Sequence, residues 1–126
     1  MDVEIVAFSR RGGRSYNEDS YGQWNDGQHA ACVVADGAGG HGGGDVASAL
    51  ARNSLLQGFS QAPAADPQRL GELLRQADDL VREQQASGHA LARMRTTAVM
   101  LALDLVNDRF VYAHSGDSRF YCFRNG

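Results

Sequence analysis

Between Cys32 and Val46 the chain reads CVVADGAGGHGGGDV, and no other stretch constrains the fold as tightly. Cys32 to Ala35 are small or apolar and predict a short buried strand, which runs straight into Asp36 and a loop with six glycines from Gly37 to Gly44. Glycine loses more freedom on folding than any other residue, so a loop this rich in it predicts positive φ or a close backbone approach to a ligand or metal. The arrangement delivers one carboxylate to a sheet edge. Taken alone, the same residues also describe a flexible surface connection with a solvated Asp36.

The chain on either side supplies the elements this loop must join. Residues 2–9 (DVEIVAFS) alternate in character and predict a strand, residues 10–22 a polar, turn-rich segment, and Asn25-Asp26-Gly27 a turn before the strand over 29–35. After the glycines, Asp45 is a candidate cap for a helix carrying Val46, Ala49, Leu50, Leu56 and Phe59 and ending near Gly58. Residues 60–66 read as a linker. Asp66-Pro67 is a helix start, and Leu70, Leu73, Leu74, Ala77, Leu80 and Val81 keep helical spacing as far as Gly88. From Thr96 the period changes. TTAVMLALDL, RFVYAHS and SRFYCF, separated by turns at Asn107-Asp108 and Gly116-Asp117, predict three successive antiparallel strands. The closing Asn125-Gly126 is a hairpin signal without its returning strand, so these residues are expected to be a piece of a longer sheet protein.

Composition narrows the function classes. The chain has 126 residues, 43% hydrophobic and 21% charged, as an ordinary globular domain does. Its net charge of -3 and scattered arginines, Arg10, Arg11 and Arg14 apart, speak against a nucleic-acid partner. Cys32 and Cys122 both sit in apolar runs and read as buried free thiols, which fits a reducing, cytoplasmic setting. No stretch reaches the length of a membrane span, and the N-terminus does not resemble a signal peptide.

Two kinds of site can be assembled. Gly37-x-Gly39-x-x-Gly42 meets the letter of a dinucleotide fingerprint, but the helix after it leads into a linker and a second helix instead of a parallel strand, and no phosphate-binding lysine follows. The other site is a hard-metal one. Glu18, Asp19, Asp36 and Asp117 are acids at strand ends or in turns, and all-oxygen donors of this kind suit Mg²⁺ or Mn²⁺. Each acid alone is an ordinary turn residue. Together with Arg14, whose planar fork matches two phosphate oxygens, they describe a phosphate site.

Four motifs, Arg14-x-x-Asn17-Glu18-Asp19, Ala35-Asp36-Gly37-x-Gly39-Gly40-His41, Thr96-Thr97-Ala98 and Ser115-Gly116-Asp117-Ser118-Arg119, stand in the order and spacing of the metal-dependent PP2C (PPM) serine/threonine phosphatases. The chain most resembles the N-terminal half of the compact bacterial members. The resemblance implies an α+β fold, a four-layer α-β-β-α sandwich of antiparallel sheets truncated at the C-terminus, with residues 1–126 forming part of one domain. By position, Asp36 resembles the carboxylate that bridges two metal ions and the Gly37 carbonyl a ligand of one of them. Glu18 and Asp19 match acids that hold metal-bound waters, Arg14 the arginine on the substrate phosphate, and Asp117 the aspartate associated with a third ion. The implied reaction is hydrolysis of phosphoserine or phosphothreonine proteins by a water activated by two or three Mn²⁺ or Mg²⁺ ions, opposing a serine/threonine kinase. Where the eukaryotic branch has a histidine just after the Asp-Gly pair, this chain has Ala38. His41 reads as a loop residue and His114 as a packed or near-site residue. Arg95 stands where the family usually has glycine. Later aspartates of the metal site, which the family supplies beyond this length, are absent here, so the chain alone is expected to be inactive or weakly metal-binding and to dimerise through exposed sheet edges. A non-catalytic interaction module of the same fold is the alternative.

Overall fold

The structure is a computed structural model that describes residues 2–12, 17–39 and 43–124. Five strands and two long helices follow one another as β1 (Asp19–Asn25), β2 (His29–Ala38), α1 (Gly44–Gln61), α2 (Pro67–Ala86), a single 3₁₀ turn (His89–Leu91), β3 (Arg95–Thr96), β4 (Ala98–Asp104) and β5 (Arg109–Ser115). The main path of the sheet is β1-β2-β4-β5, with β3 paired to the end of β2, and every pairing is antiparallel. The protein is therefore α+β, a helical layer on one face of an antiparallel sheet.

Strand alternation builds the core. Ala31, Val33, Ala98, Met100 and Ala102 turn toward the helices and meet Leu55 and Phe59 of α1 and Leu70, Leu73 and Ala77 of α2. The edge of Trp24 packs on the Phe59 ring at 5.6 Å. Helix α2 starts as its sequence signals: the Asp66 carboxylate accepts from the Arg69 amide and Pro67 takes the first helical position. Helix α1 is capped differently from expectation. Gly43 holds the N-cap with no side-chain hydrogen bond, and Asp45 lies in the first turn. Nor does Gly58 end this helix. It lies inside α1 where α2 crosses closely, and a Cβ there would come within 2.4 Å of Leu73 Cδ2.

The strand pattern over residues 2–9 does not become a strand. The segment is irregular, with Val6 and Phe8 83% and 82% exposed, because a strand needs a partner for its backbone groups and none of the described residues provides one. The pairing position next to β2 belongs to residues 19–25, whose local pattern predicts loop and turn. Only the tip of that turn is as expected: Asn25 and Asp26 side chains accept from the Gly27, Gln28 and His29 amides, and Gly27 has φ +88. The run from Thr96 divides at Thr97 into β3 and β4. Residues 118–123 form no strand, and Cys122 is exposed whereas Cys32 is half-buried; both are free thiols.

The sheet face away from the helices carries no second sheet among the described residues. Phe120 stacks there on Tyr112 with centroids 4.4 Å apart, and residues 5–10 lie along β1 and β2. No helix of the described residues is long and apolar enough to cross a membrane.

Candidate active site

Strand β2 runs three residues further than its apolar core predicts, so Asp36 and Gly37 belong to the sheet and are held by its ladders. In the β1–β2 register Asp19 pairs directly with Asp36. Cross-strand partners have Cβ atoms about 5 Å apart, and two like charges so placed repel, which a cation between them would relieve. Just outside this pair the Gly37 amide donates to the Glu18 carbonyl at 3.2 Å. Ser48 of α1, fully buried, donates to the same carbonyl at 2.6 Å and meets Ser20 Oγ at 3.0 Å. These bonds lock the entry into β1 onto both β2 and α1.

Gly37 is a packing requirement. A Cβ there would lie 2.0 Å from the Gly44 carbonyl oxygen and 2.6 Å from the Glu18 carbonyl oxygen, so backbone closes over it on two sides. A Cβ on Gly44 in turn would fall 2.7 Å from Glu18 Cδ, which places the Glu18 carboxyl against the first turn of α1, where the helix dipole favours negative charge. Glu18 Oε1 is buried with no hydrogen-bond partner.

Thr97, singled out in the sequence only as part of a motif, proves to be a junction. Its amide donates to the Asp36 carbonyl at 2.9 Å, its Oγ1 accepts from the Asp36 amide at 3.2 Å, and the same hydroxyl makes a short hydrogen bond with Ser118 Oγ. The turn bearing Asp117 is thereby tied to the backbone of Asp36. Gly116 makes the turn at φ +94, and a Cβ there would strike Thr97 Cγ2 at 2.6 Å. A cleft of about 460 Å³ opens beside these residues, lined by Asp19, Asp36, Cys32, Val34, Leu101 and residues 118–121. Cys32 lines the cleft, and burial pushes its thiol up from its ordinary value. His114, expected to be packed or near the site, is exposed on β5.

Among the proposed ligands the structure thus joins Glu18, Asp19, Asp36 and Gly37 through two adjacent strands and brings the Asp117 turn to Asp36 through Thr97. Arg14 and His41 lie outside the described residues. No three acidic, histidine or cysteine side chains gather as a metal-holding group among the described residues. The donor set still suits a hard cation: carboxylates and a strand carbonyl, one carboxylate oxygen buried without a partner, and a glycine that leaves no room for a side chain. Ser48, Ser20 and Thr97 are the residues to which the sequence gives no role; a hydroxyl whose partner stands 28 or 61 residues away gives no local signal.

The dinucleotide alternative fails on topology, since the glycine loop leads from one antiparallel strand into two successive helices. Comparison of the sequence with protein families gives the decisive observation: a model of protein phosphatase 2C matches residues 9–126. The chain belongs to the protein phosphatase 2C family. Curated proteins give no sequence match. Among solved structures, the fold is similar to a stage II sporulation E family protein from Thermanaerovibrio acidaminovorans, with 26% identity, TM-score 0.64, and coverage of 78% of this chain and 45% of that one. It is also similar to a bacterial serine phosphatase bearing an R161A mutation, at 25% identity and TM-score 0.76, covering 89% of this chain and 53% of the other. RsbX, solved in complex with magnesium, shares the fold at 19% identity and TM-score 0.61, covering 83% and 45%. The chain spans about half the length of these relatives.

Proposed function

We propose that this chain is the N-terminal part of a metal-dependent protein serine/threonine phosphatase that hydrolyses phosphoserine and phosphothreonine proteins and so opposes a kinase. The observation that carries the proposal is the direct pairing of Asp19 with Asp36 at the mouth of a cleft, beside a glycine that backbone encloses and an unpartnered buried Glu18 oxygen. Asp36, Asp19, Glu18, the Gly37 carbonyl and Asp117 would hold Mn²⁺ or Mg²⁺, and Arg14 would grip the substrate phosphate. When bound, such cations neutralise phosphate charge and make water a stronger nucleophile near neutral pH. The chain's own contribution is rigid placement. Thr97 fixes the Asp36 backbone from one side and the Glu18 carbonyl fixes Gly37 from the other, so the backbone that carries these donors is held in place before any ligand arrives.

The test is hydrolysis of p-nitrophenyl phosphate with and without Mn²⁺, on this chain and on the intact natural polypeptide that carries it, each with an Asp36→Asn control. The expected result is Mn²⁺-dependent turnover by the intact polypeptide, reduced about a hundredfold or more in the control. Turnover that ignores Mn²⁺ or survives Asp36→Asn would refute the assignment. No turnover by either protein would favour the second reading, a non-catalytic interaction module of the same fold.

A further inference from the structure

The segment joining α2 to β3 forms one bank of a second groove. Met94, 1% exposed, plugs into a small cluster with Ala47 of α1 and Val81 of α2. Its carbonyl accepts from Gln85 Nε2 at 2.6 Å and its amide donates to the Leu91 carbonyl at 3.1 Å. The other bank is formed by Gly39. Gly39, at φ +138, approaches so closely that a Cβ would lie 2.8 Å from Met94 Cα and 2.9 Å from the Arg93 carbonyl oxygen, and a Cβ on Gly43 would lie 3.1 Å from Met94 Cβ. Between the banks is an open groove of about 530 Å³ lined by Gly39, Gln85, Ala92, Arg93, Met94 and Arg95.

With Met94 buried, its neighbours Arg93 and Arg95 are both exposed, on a strap that is fastened at its middle. Neither guanidinium has an ion-pair or hydrogen-bond partner among the described residues, and no residue lining the groove is acidic. The groove also adjoins the candidate site. Arg95 pairs with Ala38, two residues along β2 from Asp36, so its Cα lies about 8 Å from that of Asp36 by strand geometry.

We infer that this groove is a recognition site for acidic side chains flanking the phosphorylated residue of a protein substrate. The inference rests on the phosphatase reading and narrows its substrate class. An extended peptide advances about 3.3 Å per residue. Carboxylates two to four positions from the phosphorylated residue therefore reach Arg93 and Arg95 while the phosphate is at Asp36. Guanidinium and carboxylate pair through two parallel hydrogen bonds, so each arginine can select a glutamate or aspartate over its amide. On a chain of net charge -3, a strap with two unpaired arginines gives that selection a definite place.

Binding of a fluorescein-labelled serine peptide with glutamates at those positions, followed by anisotropy against the same peptide carrying glutamines, tests the groove without requiring catalysis. The glutamate peptide is expected to bind about tenfold more tightly at low salt, with the preference fading as salt rises. The Arg93→Glu/Arg95→Glu double variant is expected to lose the preference and Arg93→Lys/Arg95→Lys to keep part of it. Equal binding of the two peptides, a preference that survives the charge reversal, or complete displacement by millimolar inorganic phosphate would overturn the inference. p-Nitrophenyl phosphate has no flanking residues, so its turnover reports on the phosphatase reading alone. Absent turnover with intact glutamate preference would sink that reading and leave the groove as an acidic-peptide site.

Discussion

Replacing Gly37 by alanine tests the central claim about how the site is built. The new Cβ would stand 2.0 Å from the Gly44 oxygen, 2.5 Å from the Gly44 carbonyl carbon and 2.6 Å from the Glu18 oxygen, and all three are backbone atoms with no rotamer in which to retreat. Relief requires moving the first turn of α1 or the start of β1 away from β2. Overpacking costs about 1–3 kcal/mol when side chains can yield, so a wall of backbone places this variant near about 3 kcal/mol. Loss of the bond from the Gly37 amide to the Glu18 carbonyl adds about 1 kcal/mol. Gly71 is the control: it lies within α2, where an added Cβ meets nothing closer than Arg75 Nη1 at 3.7 Å. Gly71→Ala should stabilise by about 0.5–1 kcal/mol through the unfolded chain. Urea unfolding followed by the fluorescence of Trp24, the single tryptophan, which packs against Phe59, measures both. A Gly37→Ala protein within about 1 kcal/mol of wild type, with an unchanged denaturant slope, would refute the enclosure argument.

Two further outcomes follow from the buried polar groups and the turns. Ser48→Ala removes the hydroxyl shared by Ser20 Oγ and the Glu18 carbonyl and should cost about 1–3 kcal/mol in the same unfolding assay, whereas a surface-like cost under about 0.5 kcal/mol would show that this bond does not hold β1 to α1. The Asp26 carboxyl is held below its ordinary value of 3.8 by the His29 and Gln28 amides, and Asp104 below the same value by the Asn107 side chain and amide. Both pKa values are lower in the folded state, so their stabilisation is present above pH 3.8 and is lost as pH falls through the depressed folded values. Asp26→Asn/Asp104→Asn keeps an acceptor at each turn while removing the titration. Its stability should decline less between about pH 4 and about pH 2 than that of the wild type, and an equal decline would show that other groups govern acid unfolding.

What is legible in the sequence is what local chemistry encodes. Asp66, Pro67 and the spacing of Leu70, Leu73, Ala77 and Val81 specify α2 within a turn of its observed limits, because capping and helical periodicity act within a few residues. The β4–β5 hairpin and the core of β2 are equally plain. Of the site, the residue types and their order are legible in the same way, since each motif is only a few residues long. Strand β1 is hidden for a physical reason: of its inward residues Ser20, Gly22 and Trp24 only the last is large and apolar, and one such residue makes no apolar alternation.

The sequence by itself determined which segments are helical, where the acids and glycines stand, and through its motifs the family to which the chain belongs. Only tertiary structure decided which extended segment pairs with β2, residues 19–25 over residues 2–9, because a strand's backbone groups are satisfied by a partner that no local pattern names. The same holds for the opposition of Asp19 to Asp36, the tie from Thr97 to Ser118 and the enclosure of Gly37 by Gly44. Each depends on atoms far apart in the chain being held within a few ångströms, and only packing brings them there.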